Sequence, residues 1–230
     1  MERKFNFSID EYYHLYNRGN DKRIIFEDEY DYNRFKLLLY HCNSSMPVDL
    51  GKPLSEGRSF SDLMSIDRGT EIVAIGSYVL MPNHFHILVK EITEDGISKF
   101  MGKLSTGYSM YFNNKRSRSG SLFEGRFKAT HADTNEYLKY LFAYIHLNPV
   151  KLIYPLWKDK GLADFAGAKE YLSEYDHSSY LDYCGASRLD RKILNQKYFP
   201  AYFSNFKSFD DFINSWLSFS EKDRPPLFSF

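Results

Sequence analysis

Two histidines one residue apart are the first side chains in this sequence that suggest chemistry. The segment MPNHFHILVK, residues 81–90, carries His84 and His86 on either side of Phe85. On a β-strand, side chains two residues apart point to the same face, so a strand here would set both imidazoles side by side. Paired neutral imidazoles are natural ligands for a divalent metal. A hydrogen-bonded or exposed histidine pair without a ligand fits the same three residues.

A second group of reactive side chains lies on TNEYLKYLFAYIHLNP, residues 134–149. The apolar residues spaced to form the buried face of a helix are Leu138, Leu141, Phe142 and Ile145. A second stripe at helical spacing consists of Tyr137, Tyr140, Tyr144 and Asn148. A phenol can act as a nucleophile, and an amide oxygen can bind a hard divalent metal. Packing of the tyrosines against a sheet explains the same spacing. The spacing alone also does not show which of the three tyrosines would be the nucleophile. His146 falls on another side of the helix, and we interpret it as structural.

The fold that must bring these residues together is predicted to be α+β. The hydrophobic patterns indicate strands over 11–20, 71–81, 84–92 and 121–132, the last bulged at Gly125, and helices over 28–42, 95–113 and 134–148. We expect a long loop over 43–69, and a capping box of Asp133 and Glu136 before the last helix. The order β-α-β-β-α-β-α is that of a ferredoxin-like (RRM-like) split βαβ antiparallel sheet with two helices on one face, followed by an extra helix that carries the tyrosines.

Composition limits the class of protein. The chain has 230 residues, of which 43% are hydrophobic, enough for one large domain or a domain with an extension. The 30 Lys and Arg balance the 30 Asp and Glu, so net charge does not indicate a polyanionic partner. The two cysteines, Cys42 and Cys184, suggest neither a disulfide framework nor a thiolate zinc site. No signal peptide or long apolar run is found, so we expect a cytoplasmic protein without membrane contact.

Positive charge is concentrated locally between residues 103 and 128, where the one acidic residue is Glu124. The basic residues there are Lys103, Lys115, Arg116, Arg118, Arg126 and Lys128. This excess indicates where the backbone of a polyanion such as a nucleic acid would bind, although an ordinary solvated loop explains Lys115 to Arg118 equally well. Three aromatic residues nearby can stack on bases, but their helical spacing predicts core positions: Tyr108, Tyr111 and Phe112.

Four separated motifs resemble those of the REP-associated tyrosine transposases and related single-tyrosine HUH transposases. They are RGN (18–20), LMPNHFHILV (80–89), GSLFEGRFK (120–128) and YIHLNPVK (144–151), in matching order over roughly residues 12–155. The resemblance implies that His84 and His86 bind a divalent metal, with Asn148 as third ligand. Several relatives have glutamine where Asn148 stands. It also implies that Tyr144 attacks a DNA phosphate, and it adds Arg18 to the predicted DNA-binding residues.

The function that the resemblance implies is metal-dependent cleavage and strand transfer of single-stranded DNA at hairpin-bearing, REP-like ends. The expected cofactor is Mg²⁺ or Mn²⁺, the expected intermediate is a 5′-phosphotyrosine, and the expected assembly is a monomer or homodimer. Residues 1–157 would form the catalytic domain, and residues 158–230 a mostly helical or irregular C-terminal extension. Two other classes stay open: a catalytically silent RRM-like protein that binds single-stranded nucleic acid, and a metal-dependent hydrolase that uses water.

Overall fold

The fold is described for residues 6–47 and 49–218 of a computed structural model, so the last twelve residues of the predicted extension lie outside it. The strands are β1 (Tyr12–Arg18), β2 (Val73–Met81), β3 (His84–Glu91) and β4 (Lys128–His131). The helices are α1 (Glu29–His41), α2 (Gly51–Ser55), α3 (Phe60–Ser65), α4 (Gly96–Lys115), α5 (Asn135–His146), α6 (Val150–Ile153), α7 (Trp157–Lys160), α8 (Phe165–Glu174), α9 (Tyr180–Tyr183) and α10 (Phe206–Ser218). In this part of the chain, no helix has the length and apolar character needed to cross a membrane.

The four strands form one antiparallel sheet in the order β2-β3-β1-β4. Strands β2 and β3 are joined by a tight turn at Pro82 and Asn83, and α4 carries the chain from β3 to the opposite edge. Two split βαβ units that interlock in this way define the ferredoxin-like arrangement. The prediction of an α+β, ferredoxin-like fold is therefore confirmed.

The two faces of the sheet are covered by different helices. Phe85, Ile87 and Val89 of β3 belong to the main core, which also contains apolar side chains of α1 and α4. The opposite face is covered by α5, whose residues Leu138, Leu141, Phe142 and Ile145 are all buried, as their spacing predicts. We call this second side the histidine face, because His14, His84 and His86 point to it. The tyrosine-bearing helix therefore packs on the same face as the histidine pair.

Three local expectations were wrong. Residues 43–69 are not one long loop, because they contain α2 and α3, the latter begun by a capping box of Ser59 and Asp62. The N-cap of α5 is Thr134, whose hydroxyl accepts a hydrogen bond from the Tyr137 amide, rather than Asp133. The fourth strand is confined to residues 128–131, and the segment before it meets the end of β1 at an isolated bridge from Phe123 to Gly19 rather than as a continuous strand.

The chain after α7 lies along β2 and covers the edge of the sheet. The backbone amide of Leu80 donates to His177, that of Ser179 donates to Tyr78, and that of Asn195 donates to Ile75. Covering an edge strand removes the open row of backbone donors and acceptors that would otherwise pair with another chain. The described part of the extension is therefore packed against the sheet and covers its β2 edge.

A cluster of largely buried ion pairs also joins the extension to α1. The Lys36 ammonium on α1 is almost fully buried, 2.9 Å from the Asp190 carboxylate and 3.1 Å from that of Asp176. Arg188 bridges the same two acids, each at 2.7 Å. Each buried charge thus has an opposite partner, as burial requires.

We expect Lys36→Met to destabilise the fold by about 3 kcal/mol, because it leaves the buried Asp190 with one cationic partner in place of two. Urea unfolding monitored by circular dichroism measures the change. The matched control is Lys52→Met, since Lys52 is 82% exposed and 3.9 Å from Glu56. Removing such a surface pair should cost less than about 0.5 kcal/mol. Equal losses in the two variants would contradict a stabilising role for the buried cluster.

Candidate functional site

The register of the sheet determines which side chains surround the histidine pair. His84 is aligned with Arg18 on β1, and His86 with Tyr16, which is in turn aligned with Lys128 on β4. Aligned residues of neighbouring antiparallel strands point to the same face. Tyr16 and the two cationic side chains are therefore brought to the histidine face by strand pairing.

His84 is held by its neighbour in the turn. The Asn83 amide nitrogen donates to the Lys22 carbonyl, and its oxygen lies 2.6 Å from Nδ1 of His84. Because that oxygen can only accept, Nδ1 of His84 carries the proton and the lone pair of the ring lies on Nε2. Burial, helped by the nearby charges of Arg18 and Lys151, lowers the pKa of His84 to about 4. The imidazole is thus neutral at physiological pH.

His86 is joined to a third histidine that the sequence did not single out. Nδ1 of His86 lies 2.9 Å from Nε2 of His14, and the two rings stack with centroids 4.9 Å apart. Burial lowers the pKa of His14 to about 3 and holds that of His86 well below its ordinary value. A hydrogen bond between two neutral imidazoles requires one to donate and the other to accept, so the tautomers of His14 and His86 are coupled.

Tyr144 lies at the C-terminal end of α5, and Asn148 lies in the turn just after it, next to the histidines. The Tyr144 ring meets those of His86 and His14 edge-on, with centroids 5.3 and 5.6 Å away. The Asn148 amide nitrogen donates to the Tyr144 carbonyl at 3.1 Å. Burial raises the pKa of the Tyr144 phenol, and a hydrogen bond with the Asn148 side chain opposes this shift. The phenol is therefore protonated at neutral pH.

A cavity of about 240 Å³ brings these groups together. It is lined by Tyr16, Asn17, Arg18, His84, His86, Glu124, Lys128, Tyr144, Asn148 and Lys151. The four residues predicted as ligands and nucleophile thus share one cavity, although they come from β3, from α5 and from the turn after it. The lining contains three cationic side chains and one acidic side chain, which favours an anionic ligand.

The other predicted DNA-binding residues are not part of this cavity. Lys115 and Arg116 make ion pairs with Asp28 and Asp31 at the start of α1. The Lys103 ammonium donates to the carbonyls of Ser44 and Met46.

Two further basic residues of the predicted set also lie elsewhere. Arg118 donates to Asn113 and to the Ser121 carbonyl. Arg126 lines a separate depression of about 630 Å³ beside α4. Of the predicted set, Arg18 and Lys128 lie at the candidate site. The aromatic residues Tyr108 and Phe112 are buried in the core, as expected.

The donor groups of the cavity fit a divalent metal. One buried and one half-buried imidazole, both kept neutral by desolvation, form a partial ligand set with one amide that leaves positions for phosphate oxygens and water. Within the described residues, no cluster of three or more His, Cys, Asp or Glu side chains is arranged to hold a metal. A site here would therefore depend on the amide of Asn148 and on groups that the substrate and solvent supply.

Comparison with known proteins agrees with the motifs. Residues 63–148 match the model of a protein family described as "Transposase IS200 like". This match agrees with the resemblance that the four sequence motifs suggest. The match includes both cavity histidines, Tyr144 and Asn148, and it ends before α6.

Among solved structures, the chain is similar to one of a REP-associated tyrosine transposase bound to a REP hairpin. The sequences are 13% identical, the alignment covers 83% of this chain and 90% of that one, and the TM-score is 0.48. No protein among those with curated annotation matches the chain.

Proposed function

We propose that this protein is a metal-dependent endonuclease and strand transferase of single-stranded DNA that forms a 5′-phosphotyrosine intermediate. The observation that carries the proposal is the shared cavity of His84, His86, Tyr144 and Asn148. The substrate class, hairpin-bearing DNA of the REP type, follows from the resemblance of the four sequence motifs. The chemistry is assigned to residues 1–157, with residues 158–230 as a supporting extension.

The residues that would hold the metal are His84, His86 and Asn148, and Mg²⁺ or Mn²⁺ suits this mixture of imidazole, amide and water. When bound, the ion supplies Lewis acidity to a phosphate oxygen and so exposes the phosphorus to attack. For His86 to present the lone pair of Nε2, its Nδ1 must donate to His14. His14 is thus a positioning residue in this proposal.

The reaction itself is carried by Tyr144. Its phenol oxygen forms a bond to phosphorus and releases its proton, while the bond from phosphorus to the 3′ oxygen breaks and that oxygen takes up a proton. The 5′ phosphate stays on the tyrosine. Because one phosphodiester replaces another, the reverse step can join the strand to a new 3′ hydroxyl without ATP. Arg18 and Lys128 stabilise the phosphate charge at the cavity.

The proposal is tested by incubating the protein with single-stranded hairpin DNA and Mn²⁺. We expect a protein-linked DNA band that survives a denaturing gel and is absent when the metal is chelated. Free 5′ phosphate ends without such a band would instead indicate a hydrolase that uses water. Binding without cleavage would indicate a silent nucleic-acid-binding protein.

A further inference from the structure

Two lysines that follow α5 come close to Tyr144, outside both the family match and the predicted DNA-binding set. The Lys158 ammonium lies 4.4 Å from the centroid of the Tyr144 ring. Lys151 lines the cavity itself. Two ammonium groups from the segment after α5 are therefore placed at or beside the cavity that holds Tyr144.

The position of Lys158 is fixed by the C-terminal extension. Its neighbour Trp157 is 3% exposed and packs in a core that joins Leu147 and Val150 to the extension. The members of that core supplied by the extension are Ala168, Leu172, Tyr180, Phe209, Ile213 and Leu217. The Tyr154 hydroxyl donates to Asp164, which caps α8 and ties the start of the segment to the extension. A four-residue helix would not hold a side chain in place alone, since short helices are marginal without packing.

We propose that Lys151 and Lys158 bind the phosphate backbone of the DNA strand at the cavity, so that the extension supplies part of the substrate site. This inference rests on the proposed function, in which a phosphate must approach the phenol oxygen of Tyr144. The Lys158 ammonium, 4.4 Å from the centre of that ring, is close to where such a phosphate would bind. An ammonium on a flexible stem is well suited to follow a phosphate through a reaction that changes its bonding partner.

Binding at different salt concentrations measures whether the two lysines contact phosphate. The probe is a fluorescein-labelled oligothymidylate, titrated by anisotropy with the full chain without divalent metal. Each phosphate contact to a single strand contributes about 0.7 to the slope of log K against log salt, so Lys151→Gln combined with Lys158→Gln should reduce that slope by about 1.4. Lys158→Arg, which keeps the charge, should retain the contribution of that position.

The matched control is Lys160→Gln, which removes an exposed charge from the same helix, α7, outside the cavity lining. Its slope should equal that of the wild type. An unchanged slope in the double variant, with thermal unfolding as in the wild type, overturns the inference. An equal drop in the slope of the Lys160→Gln control also overturns the inference, because the loss of net charge alone would then explain the drop in the double variant. If the double variant unfolds, Lys158→Gln alone decides, with an expected drop of about 0.7.

The covalent reaction separates this inference from the proposed function. If the wild type forms the protein–DNA adduct and the double variant keeps its salt slope, the inference fails and the proposed function stands. If the slope falls but no adduct forms with any hairpin substrate, phosphate binding by the lysines stands and the tyrosine chemistry fails. A wild type that binds no single-stranded DNA overturns both.

Discussion

Replacing Tyr144 with phenylalanine is expected to abolish the covalent protein–DNA adduct while DNA binding persists. The change removes the attacking oxygen and keeps the ring that packs against His86 and His14. Cleavage should fall by about three orders of magnitude or more, the scale on which loss of a nucleophile acts in other enzymes. Stability should fall by no more than about 1 kcal/mol, the net contribution of one hydrogen bond. Denaturing gels and thermal unfolding measure the two effects.

Two other tyrosines provide matched controls. Tyr140 lies one turn earlier on α5, where it packs against Trp216 with ring centroids 4.9 Å apart. Tyr16 lines the same cavity as Tyr144, 5.8 Å from the His86 ring, and is thus a second candidate nucleophile that only the structure reveals. Tyr140→Phe and Tyr16→Phe should both retain the adduct, because the side chain of Asn148, a proposed metal ligand, is hydrogen-bonded to Tyr144.

Mass spectrometry of the DNA-linked peptide decides directly among the tyrosines. A nucleotide found on Tyr16 would move the chemistry from α5 to β1 and contradict the assignment. A nucleotide on Tyr140 would contradict it as well, since Tyr140 faces Trp216. Should the Tyr144→Phe variant still cut DNA at the wild-type rate, attack by water replaces attack by tyrosine.

The sequence was sufficient for the features that depend on local periodicity. Alternation along residues 84–91 places His84 and His86 on one face, and the helical spacing of Leu138, Leu141 and Ile145 identifies the buried side of α5. These patterns repeat within a few residues, so they do not depend on distant parts of the chain. The order of strands and helices then restricted the topology to a familiar arrangement.

Features set by long-range pairing could not be obtained in this way. His14 reaches His86 only through the register of β1 with β3, more than seventy residues away in sequence. Likewise, the positive charge of Lys115 and Arg116 suggested a DNA path, but the acids that neutralise it belong to the start of α1. Counting charge in one segment misses partners supplied by another.

One missed element did leave a local signal. The sequence SFSD, residues 59–62, is a capping box that announces α3 within the segment expected to be a loop. By contrast, nothing local to Lys158 connects it with Tyr144, because that contact depends on the packing of Trp157 against the extension. Its position follows from tertiary structure alone.

The other large effect concerns the metal. We expect His84→Ala combined with His86→Ala to eliminate measurable Mn²⁺ binding by isothermal titration calorimetry, and cleavage with it. Each single variant should lose more than the roughly 10- to 100-fold in affinity that removal of a supporting second-shell group costs. The expected reason is that two of the three protein ligands are imidazoles, which burial keeps neutral and able to coordinate.

Three further variants serve as a control or are expected to lose less Mn²⁺ affinity than the variants of the cavity histidines. His131 on β4 pairs with Glu11 and is not part of the cavity lining, so His131→Ala should bind Mn²⁺ like the wild type. Asn148→Ala should weaken binding less than either cavity histidine, because water can replace one amide oxygen. His14→Ala should lower affinity by about 10- to 100-fold, as expected for a group that orients a ligand without touching the metal.

The order of these losses distinguishes a metal site from a structural histidine cluster. In a metal site, His84→Ala lowers Mn²⁺ affinity although His84 is only half-buried. In a purely structural cluster, His14→Ala would unfold the protein most, since His14 is fully buried, and Mn²⁺ affinity would be unrelated to any of the three histidines. Unchanged Mn²⁺ affinity in the folded double variant therefore removes the metal from the mechanism, whatever result the Tyr144→Phe variant gives.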